Sequence, residues 1–314
     1  NMIRYIIKRL ILMIPAILAT SLIIFVAMNM TGGDPVDSLA PENATEEQIE
    51  ELREELGLND PLLVRYVKYM GGMLRGDLGV SYVTKKDVFA TFAERLPATL
   101  KLACSSVLIA TLVALPLGIY TAIHQNTWKD TGGMVFALFG VSMPNFWLGL
   151  MLILCFSLWL GWFPSGGYGD GGIRNLVLPA VTVGLGFAAL ITRTTRSAML
   201  DVIRQDYMTT ARAKGVPDRK VIFGHGLKNA LIPIITVIGM QLSNALTGSV
   251  LAETVFSWPG VGRLIVDSIA KRDTPMVTGS IIMCCILVCI VNVAVDLVYA
   301  FFDPRIKAQY AKKG

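Results

Sequence analysis

Six long apolar runs dictate what this chain can fold into. They are Leu10–Met30, Leu102–Ile123, Gly132–Leu160, Asn175–Thr192, Ala230–Ala252 and Met276–Phe302. A helix needs about 20 apolar residues to cross the hydrocarbon core of a bilayer, and each run meets or approaches that length. Lipid offers no partner to a bare peptide group, so each crossing must be helical. The expected fold class is an all-α polytopic membrane protein with six transmembrane helices. Composition agrees, with 54% hydrophobic and only 16% charged residues, against about 25% charged in a soluble domain. That shortfall excludes most water-soluble classes and disorder.

Local chemistry refines three of the runs. Arg4, Lys8 and Arg9 precede the first, a pattern shared with signal peptides. The run is too long for a cleaved signal and no A-x-A site follows, so it reads as an uncleaved first span with Met2 as the natural start. Pro144-Asn145 interrupts the third run. Proline removes a backbone donor and clashes with the preceding turn, which predicts a kink there. The fourth run is short and is expected to begin at the outer surface and tilt little.

Charge sets the orientation. The N-terminal tail has three basic residues and no acidic one; segment 193–229 has eight basic and three acidic; the tail from Asp303 has four basic and one acidic. They alternate with segment 31–97, which holds thirteen acidic and seven basic residues, and with two balanced loops, 161–174 and 253–275. The positive-inside rule then places both termini in the cytoplasm. The chain reads as a single transmembrane domain, 1–314, with an extracytoplasmic helical insertion at 31–97 and a cytoplasmic loop at 193–229.

Two charges touch the runs. Lys101 stands at the outer edge of the second, where its stem can snorkel. Asp296 lies inside the sixth, about 9 Å from the inner end. An intramembrane carboxylate is by default a functional hypothesis; the reading preferred for Asp296 is a structural pairing with a basic residue of the N-terminal tail. The five cysteines show no metal or disulfide spacing and read as packing residues. His124 and His225 fall in cytoplasmic loops, so no nucleophile and base meet in the membrane. Neither a metal site nor a catalytic site is expected. The excess of basic residues is a matter of topology and does not indicate nucleic acid.

The polar segments carry their own signals. Thr45-Glu46-Glu47-Gln48 fits a capping box, Ile49, Leu52 and Leu56 follow at helical spacing, and Gly57 suits the helix end. A second amphipathic stretch covers Leu62–Leu74. In the inner loop Asp206 is expected to cap a short helix, Tyr207–Lys214, stopped by Gly215, with Pro217 starting another. Such a helix suits either a phospholipid surface or a soluble partner, and spacing leaves both open.

A family resemblance enters with this loop. Asp206-Tyr207-Met208-Thr209-Thr210-Ala211-Arg212-Ala213-Lys214-Gly215, then His225-Gly226-Leu227-Lys228-Asn229-Ala230, resembles the coupling loop of ABC importer permeases of the peptide/nickel subfamily, first permease subunit. Ala211, Gly215 and Leu227 keep the general pattern. Thr209, Thr210, His225 and Lys228 depart from it in the manner of the peptide-type branch. Further strings at matching spans extend the resemblance over nearly the whole chain: Gly33-Asp34-Pro35, Leu56 to Leu62, Gly76-Asp77-Leu78-Gly79, Arg95 to Leu100, Phe256 to Gly262, Arg272-Asp273 with Pro275, and Asp303-Pro304-Arg305.

The resemblance implies a type I ABC importer permease fold and a set of partners. These are a second permease subunit, two ATP-binding subunits, an extracytoplasmic solute-binding protein and membrane lipid, with a peptide-like substrate. Asp206, Tyr207, Thr209, Thr210, Ala211, Arg212, Ala213, Lys214 and Gly215 would carry ATPase coupling. No G-x-x-x-x-G-K-[ST] is present, so ATP and Mg would sit on the partner subunits and this chain would hold no cofactor. Ser142, Asn145, Gln241, Ser243 and Asn244 either line the path or bond one helix to another. Gly184, Gly186, Gly239 and Gly248 permit close helix approach, and the turn Gly166–Gly172 reads as a loop. The expected location is the inner or cytoplasmic membrane of a bacterial cell, with multiple passes. The alternative is a secondary transporter or channel not driven by ATP, for which broken helices would be the signature.

Overall fold

The computed structural model describes residues 2–30, 36, 39–40 and 44–302, with residues 2–10 and 298–302 described by backbone alone. Gly33-Asp34-Pro35, Asp303-Pro304-Arg305, the basic C-terminal tail and the side chains of Arg4, Lys8 and Arg9 lie outside the described residues.

The described chain is helical. In order come α1 (Met2–Met30), α2 (Glu46–Glu55), α3 (Leu62–Met73), α4 (Val88–Ile123), α5 (Trp128–Ser142) and α6 (Asn145–Leu152), which runs on as a π-helical stretch, Ile153–Trp159. Then follow α7 (Ile173–Ile203), α8 (Asp206–Ala213), one turn at Asp218–Lys220, a second π-helical stretch at Val221–Gly226, α9 (Leu227–Gly248), α10 (Val250–Val255), α11 (Val261–Ala270) and α12 (Thr274–Phe302). Five helical segments are long and apolar enough to cross a membrane, and six if α5 and α6 are taken as one bent span.

Two of the sequence expectations need correction. Where Pro144 predicted a kink, the helix breaks outright: Met143 is extended and the pieces on either side lie at 99°. Pro144 cannot donate to the preceding turn, and its ring forces the residue before it out of the helical region. The fourth run becomes a helix of 31 residues rather than 18. At 1.5 Å per residue that is roughly 46 Å, so α7 carries on well into the segment read as loop.

By contact the chain divides into two compact units. One comprises Leu100–Trp258 and the chain from Val291; the other Met2–Thr99 and Pro259–Ile290. In the first, α7 is the central helix, and glycines set its spacing. A Cβ at Gly118 would fall 2.6 Å from Thr195 Cβ, one at Gly184 2.7 Å from the Ser106 carbonyl, and one at Gly140 2.9 Å from the Leu185 carbonyl. Only a missing side chain lets these backbones approach so closely. Gly239 meets Val295 on α12 in the same way, at 2.3 Å. Gly186 is looser, and a Cβ at Gly248 would meet nothing.

An ion pair locks the same unit. Arg196 on α7 donates from Nε and Nη2 to the two carboxylate oxygens of Asp130 on α5, at 2.7 and 2.6 Å. The Asn126 amide adds a third donor at 3.1 Å. Charge counting along the chain saw only a scattered acid and base here. Lys101, expected to snorkel, donates to the Gly171 carbonyl and lies 5.6 Å from the Tyr168 ring. The glycine-rich turn is pinned at its other end, where the Gly167 amide donates to the Phe256 carbonyl at 2.7 Å. Trp258 is fully buried beside Tyr168.

In the second unit the capping box forms as expected. Thr45 Oγ1 accepts from the Gln48 amide and Gln48 Oε1 from the Thr45 amide. Gly57, at φ +64°, ends α2: its own amide reaches the Glu54 carbonyl and that of Leu58 the Arg53 carbonyl. This is a Schellman turn, which satisfies carbonyls that the helix end leaves open. Tyr66 and Tyr69 on α3 pack against Phe25 on α1. A short hairpin paired at Val80 and Asp87 is tied down by buried Asp273, which accepts from Ser81 Oγ and from the Tyr82 amide.

Candidate functional site

The inner-loop helix α8 is short and almost wholly exposed. Asp206, Tyr207, Thr209, Thr210, Arg212, Ala213, Lys214 and Gly215 are exposed, and Ala211 is partly so. Eight residues do not hold a helix in water by themselves. What fixes α8 is one side chain, Met208, which is fully buried. A Cβ at Gly226 would meet Met208 Cε at 3.1 Å and Met199 Cε at 3.7 Å. Gly226 therefore leaves room for two flexible methionines to fill one gap. Beneath them Met199 joins Ile119, Ala122, Ala198, Ala230 and Ile234 in a buried cluster.

Polar contacts fix the register. Asn229 Nδ2 donates to the Tyr207 hydroxyl at 3.1 Å, and Arg212 pairs with Asp218 at 3.1 Å. The latter is open to water and is worth about 0–1 kcal/mol. The end of the helix is more strongly specified. Gly215 is at φ +76°, its amide donates to the Arg212 carbonyl at 2.9 Å, and the Val216 amide to that of Ala211 at 3.3 Å. This is the same Schellman turn as at Gly57, and only a residue that accepts positive φ suits it. One detail of the sequence reading changes. Gln205 stands at the N-cap and Asp206 is the first helical residue, with no side-chain cap bond. The carboxylate still lies in the first turn, where the helix dipole favours it.

The five residues considered for the path fall into different settings. Gln241 and Ser243 are buried: Ser243 donates to Asn292 Oδ1 on α12 at 2.8 Å, and Gln241 Oε1 accepts from exposed Asn244 at 2.9 Å. Ser142 and Asn145 flank the break before α6, with Ser142 bonded back to Leu138. A Cβ at Gly186 would lie 3.3 Å from Asn145 Oδ1. Asp296 lies on α12. Met208 is what sequence reasoning missed, although it is the one large aliphatic side chain in the octet, which was the available signal.

Comparison with known proteins decides the family. Residues 114–308 match the model of the binding-protein-dependent transport system inner membrane component. Residues 2–103 match that of its N-terminal part. The chain belongs to this family. The di/tripeptide transport system permease protein DppB of Pseudomonas aeruginosa is 39% identical over 98% of this chain and 100% of its own. The glutathione transport system permease protein GsiC of Escherichia coli K12 is 39% identical over 98% and 99%, and the oligopeptide transport system permease protein AppB of Bacillus subtilis 40% over 96% and 99%. A chain of the MetNI methionine ABC transporter, solved in inward-facing conformations, has the same fold with a TM-score of 0.60 at 17% identity, over 68% of this chain and 97% of its own.

An inner membrane component of a binding-protein-dependent system is a permease subunit, and the secondary-transporter alternative falls away with it. Family membership also gives the location, an inner membrane, and agrees with the apolar helices. The family description assigns transport and names no reaction.

Proposed function

We propose that this chain is one of two permease subunits of an ATP-driven importer of di- or oligopeptides, crossing the membrane six times with both termini inside. The observation that carries the coupling assignment is α8: a helix held by one buried methionine, with its other residues exposed or partly exposed. Two ATP-binding subunits would receive this helix and its counterpart on the second permease. An extracytoplasmic binding protein would deliver the peptide.

The residues divide the work. Met208 and Gly226 seat the helix on the unit that contains α7, α9 and the break at Pro144. Gly215 fixes the direction in which the chain leaves. Closure of the ATP-binding subunits, which hold ATP and Mg, would displace α8. A rigid seat then passes that displacement to α7 and α9. A two-state element biased by ATP is what alternating access requires. Ser142, Asn145 and Asn244, on exposed or half-exposed positions, are the preferred path candidates. Gln241 and Ser243, buried and bonded, are assigned to helix–helix contact.

The peptide assignment follows the peptide and glutathione systems named for the relatives above. One experiment tests the whole reading. The complex is reconstituted in nanodiscs, and ATP hydrolysis is measured with binding protein loaded with dipeptide, oligopeptide, glutathione or nothing. Stimulation by a peptide-loaded protein, together with crosslinking of a cysteine at position 209 or 212 to an ATP-binding subunit, is expected. Absence of both crosslinks in an active complex overturns the coupling assignment. Impermeant labelling of a cysteine at 212 but not at 47 in intact cells overturns the topology.

A further inference from the structure

Three helices of the first unit, α4, α5 and α7, meet in one layer near the end of α7 that leads into α8. A Cβ at Gly118 on α4 would strike Thr195 on α7 at 2.6 Å, and one at Gly133 on α5 would strike Thr121 on α4 at 2.5 Å. The Asp130–Arg196 pair closes the third side, from α5 to α7. From Arg196 to the end of α7 at Ile203 is roughly 10 Å along the axis, and α8 begins at Asp206. In between, Arg204 reaches the turn joining α4 to α5, its Nη2 lying 3.4 Å from Gln125 Oε1.

A second attachment lies further along the same two helices. A Cβ at Gly140 on α5 would fall 2.9 Å from the Leu185 carbonyl on α7. From Asp130 to Gly140 is roughly 15 Å of helix, and from Arg196 back to Leu185 roughly 16 Å. The order is reversed, so the helices are antiparallel and run side by side between the two points. One attachment would leave α5 free to pivot on α7. Two at matched spacing do not.

The attachments differ in kind. A glycine contact sets how closely two helices approach and resists sliding only weakly. The fork of Arg196 meets both carboxylate oxygens, which fixes position and rotation together. Asn126, at φ +63°, turns its amide onto the same carboxylate, so the turn between α4 and α5 is held as well. Well-packed apolar residues often stabilise a fold as much as a buried ion pair does, or more. What the charges add here is register.

We propose that the Asp130–Arg196 pair is a strut of the transport cycle. It stays closed while ATP drives α8, and it makes α5, up to its break at Pro144, move as one body with α7. Both are positioning residues, acting through the helices they join. The proposal rests on the reading above in taking α8 as the element that ATP moves.

The test uses the complete complex in nanodiscs, with the five cysteines of this chain replaced by alanine as the parent. Spin labels at Trp128→Cys on α5 and Ser197→Cys on α7, both exposed positions, report the spacing of the two helices. It is measured without nucleotide and with ADP and vanadate trapped. In the parent the two states should agree to within about 2 Å, the scale of a helix shift. Asp130→Asn combined with Arg196→Met removes both charges together. In that double variant the states should differ by more, and uptake of radiolabelled trialanine per ATP hydrolysed should fall about tenfold, a usual size for a coupling. A cysteine at position 209 should still crosslink to an ATP-binding subunit. Arg196→Lys keeps the charge and loses the fork, so it should lie between. A role in stability alone would lower the yield of complex and leave uptake per ATP in the assembled fraction unchanged.

A parent distance that changes by more than about 2 Å between states overturns the proposal, because the pair then opens. Parent distances and parent uptake per ATP in the double variant overturn it too. Should the double variant fail to assemble, Arg196→Lys decides on the same two readouts, and parent values in both overturn the strut. A parent that takes up no trialanine removes the peptide assignment and leaves the distances to judge the strut. An active parent without the crosslink at 209 removes the coupling assignment and the strut with it.

Discussion

Arg196→Met should be the most damaging single change away from α8. It removes both donors that face Asp130 and leaves a carboxylate whose side chain is only 7% exposed, with the Asn126 amide as its remaining donor. Breaking a buried pair from one side costs about 3–5 kcal/mol, because the orphaned charge stays out of water. The converse change should cost less. Asp130→Asn leaves Arg196 with a quarter of its side chain already exposed, and the amide oxygen still accepts from the backbone, so about 1–3 kcal/mol is expected. The gap of about 2 kcal/mol corresponds to roughly a thirtyfold difference in unfolding equilibrium. The double variant removes both charges together and should recover part of the loss. The assay is denaturant titration of the detergent-solubilised chain, followed by tryptophan fluorescence. Equal losses in the two single variants, or additive losses in the double, would refute the assignment of the cost to an uncompensated buried charge.

Four further outcomes are expected. Gly215→Val should abolish stimulation of ATP hydrolysis by liganded binding protein, whereas Gly215→Asn should retain most of it, since asparagine accepts positive φ and valine does not. Open space around that position assigns the effect to backbone strain, and an inactive Gly215→Asn would contradict this. Met208→Ala should destabilise the loop by about 2–5 kcal/mol, read as faster proteolysis near Gln205 with the spans intact. Gly239→Ala should cost about 1–3 kcal/mol by overpacking, and Val295→Ala in the same chain should restore it; failure of that rescue would place the clash elsewhere. Asp296→Asn should lower the melting temperature of the complex and leave the pH profile of transport unchanged, a shifted profile with normal assembly being the contrary result.

Features set by nearby residues were legible in the sequence, and contacts between distant residues were not. The apolar runs, the capping box at Thr45, the stop at Gly57 and the short helix before Gly215 rest on spacing within a few residues, where propensity and capping act. Gly184 and Gly239 were visible as small residues, but nothing local distinguished them from Gly248, which approaches no neighbour. The Asp130–Arg196 pair joins residues 66 apart, and its partners looked like ordinary loop charges until the length of α7 was known. The extent of that helix was missed for a related reason. Hydropathy falls at Arg193, yet the backbone stays helical to Ile203, because packing on α5 and α9 takes over where lipid exposure ends. Within the site, the exposed loop residues were legible as a group, while their anchor Met208 offered only its size as a signal, since a single apolar residue carries no period.

The break at Pro144 has a consequence for water. Where α5 stops and α6 begins, Met143 is extended and the first amides of α6 have no helical carbonyl behind them, the earliest such bond being from Leu148 to the Pro144 carbonyl. Hydrocarbon cannot satisfy those groups, and each would cost several kcal/mol if turned towards lipid. On the proposed six-span topology, water or another protein surface must therefore reach Pro144. Ser142 and Asn145 stand on either side of that point, so whatever satisfies those amides lies beside them whether or not a substrate does. Where water fills that role, the break stays wet at rest and the barrier to leakage falls elsewhere in the bundle.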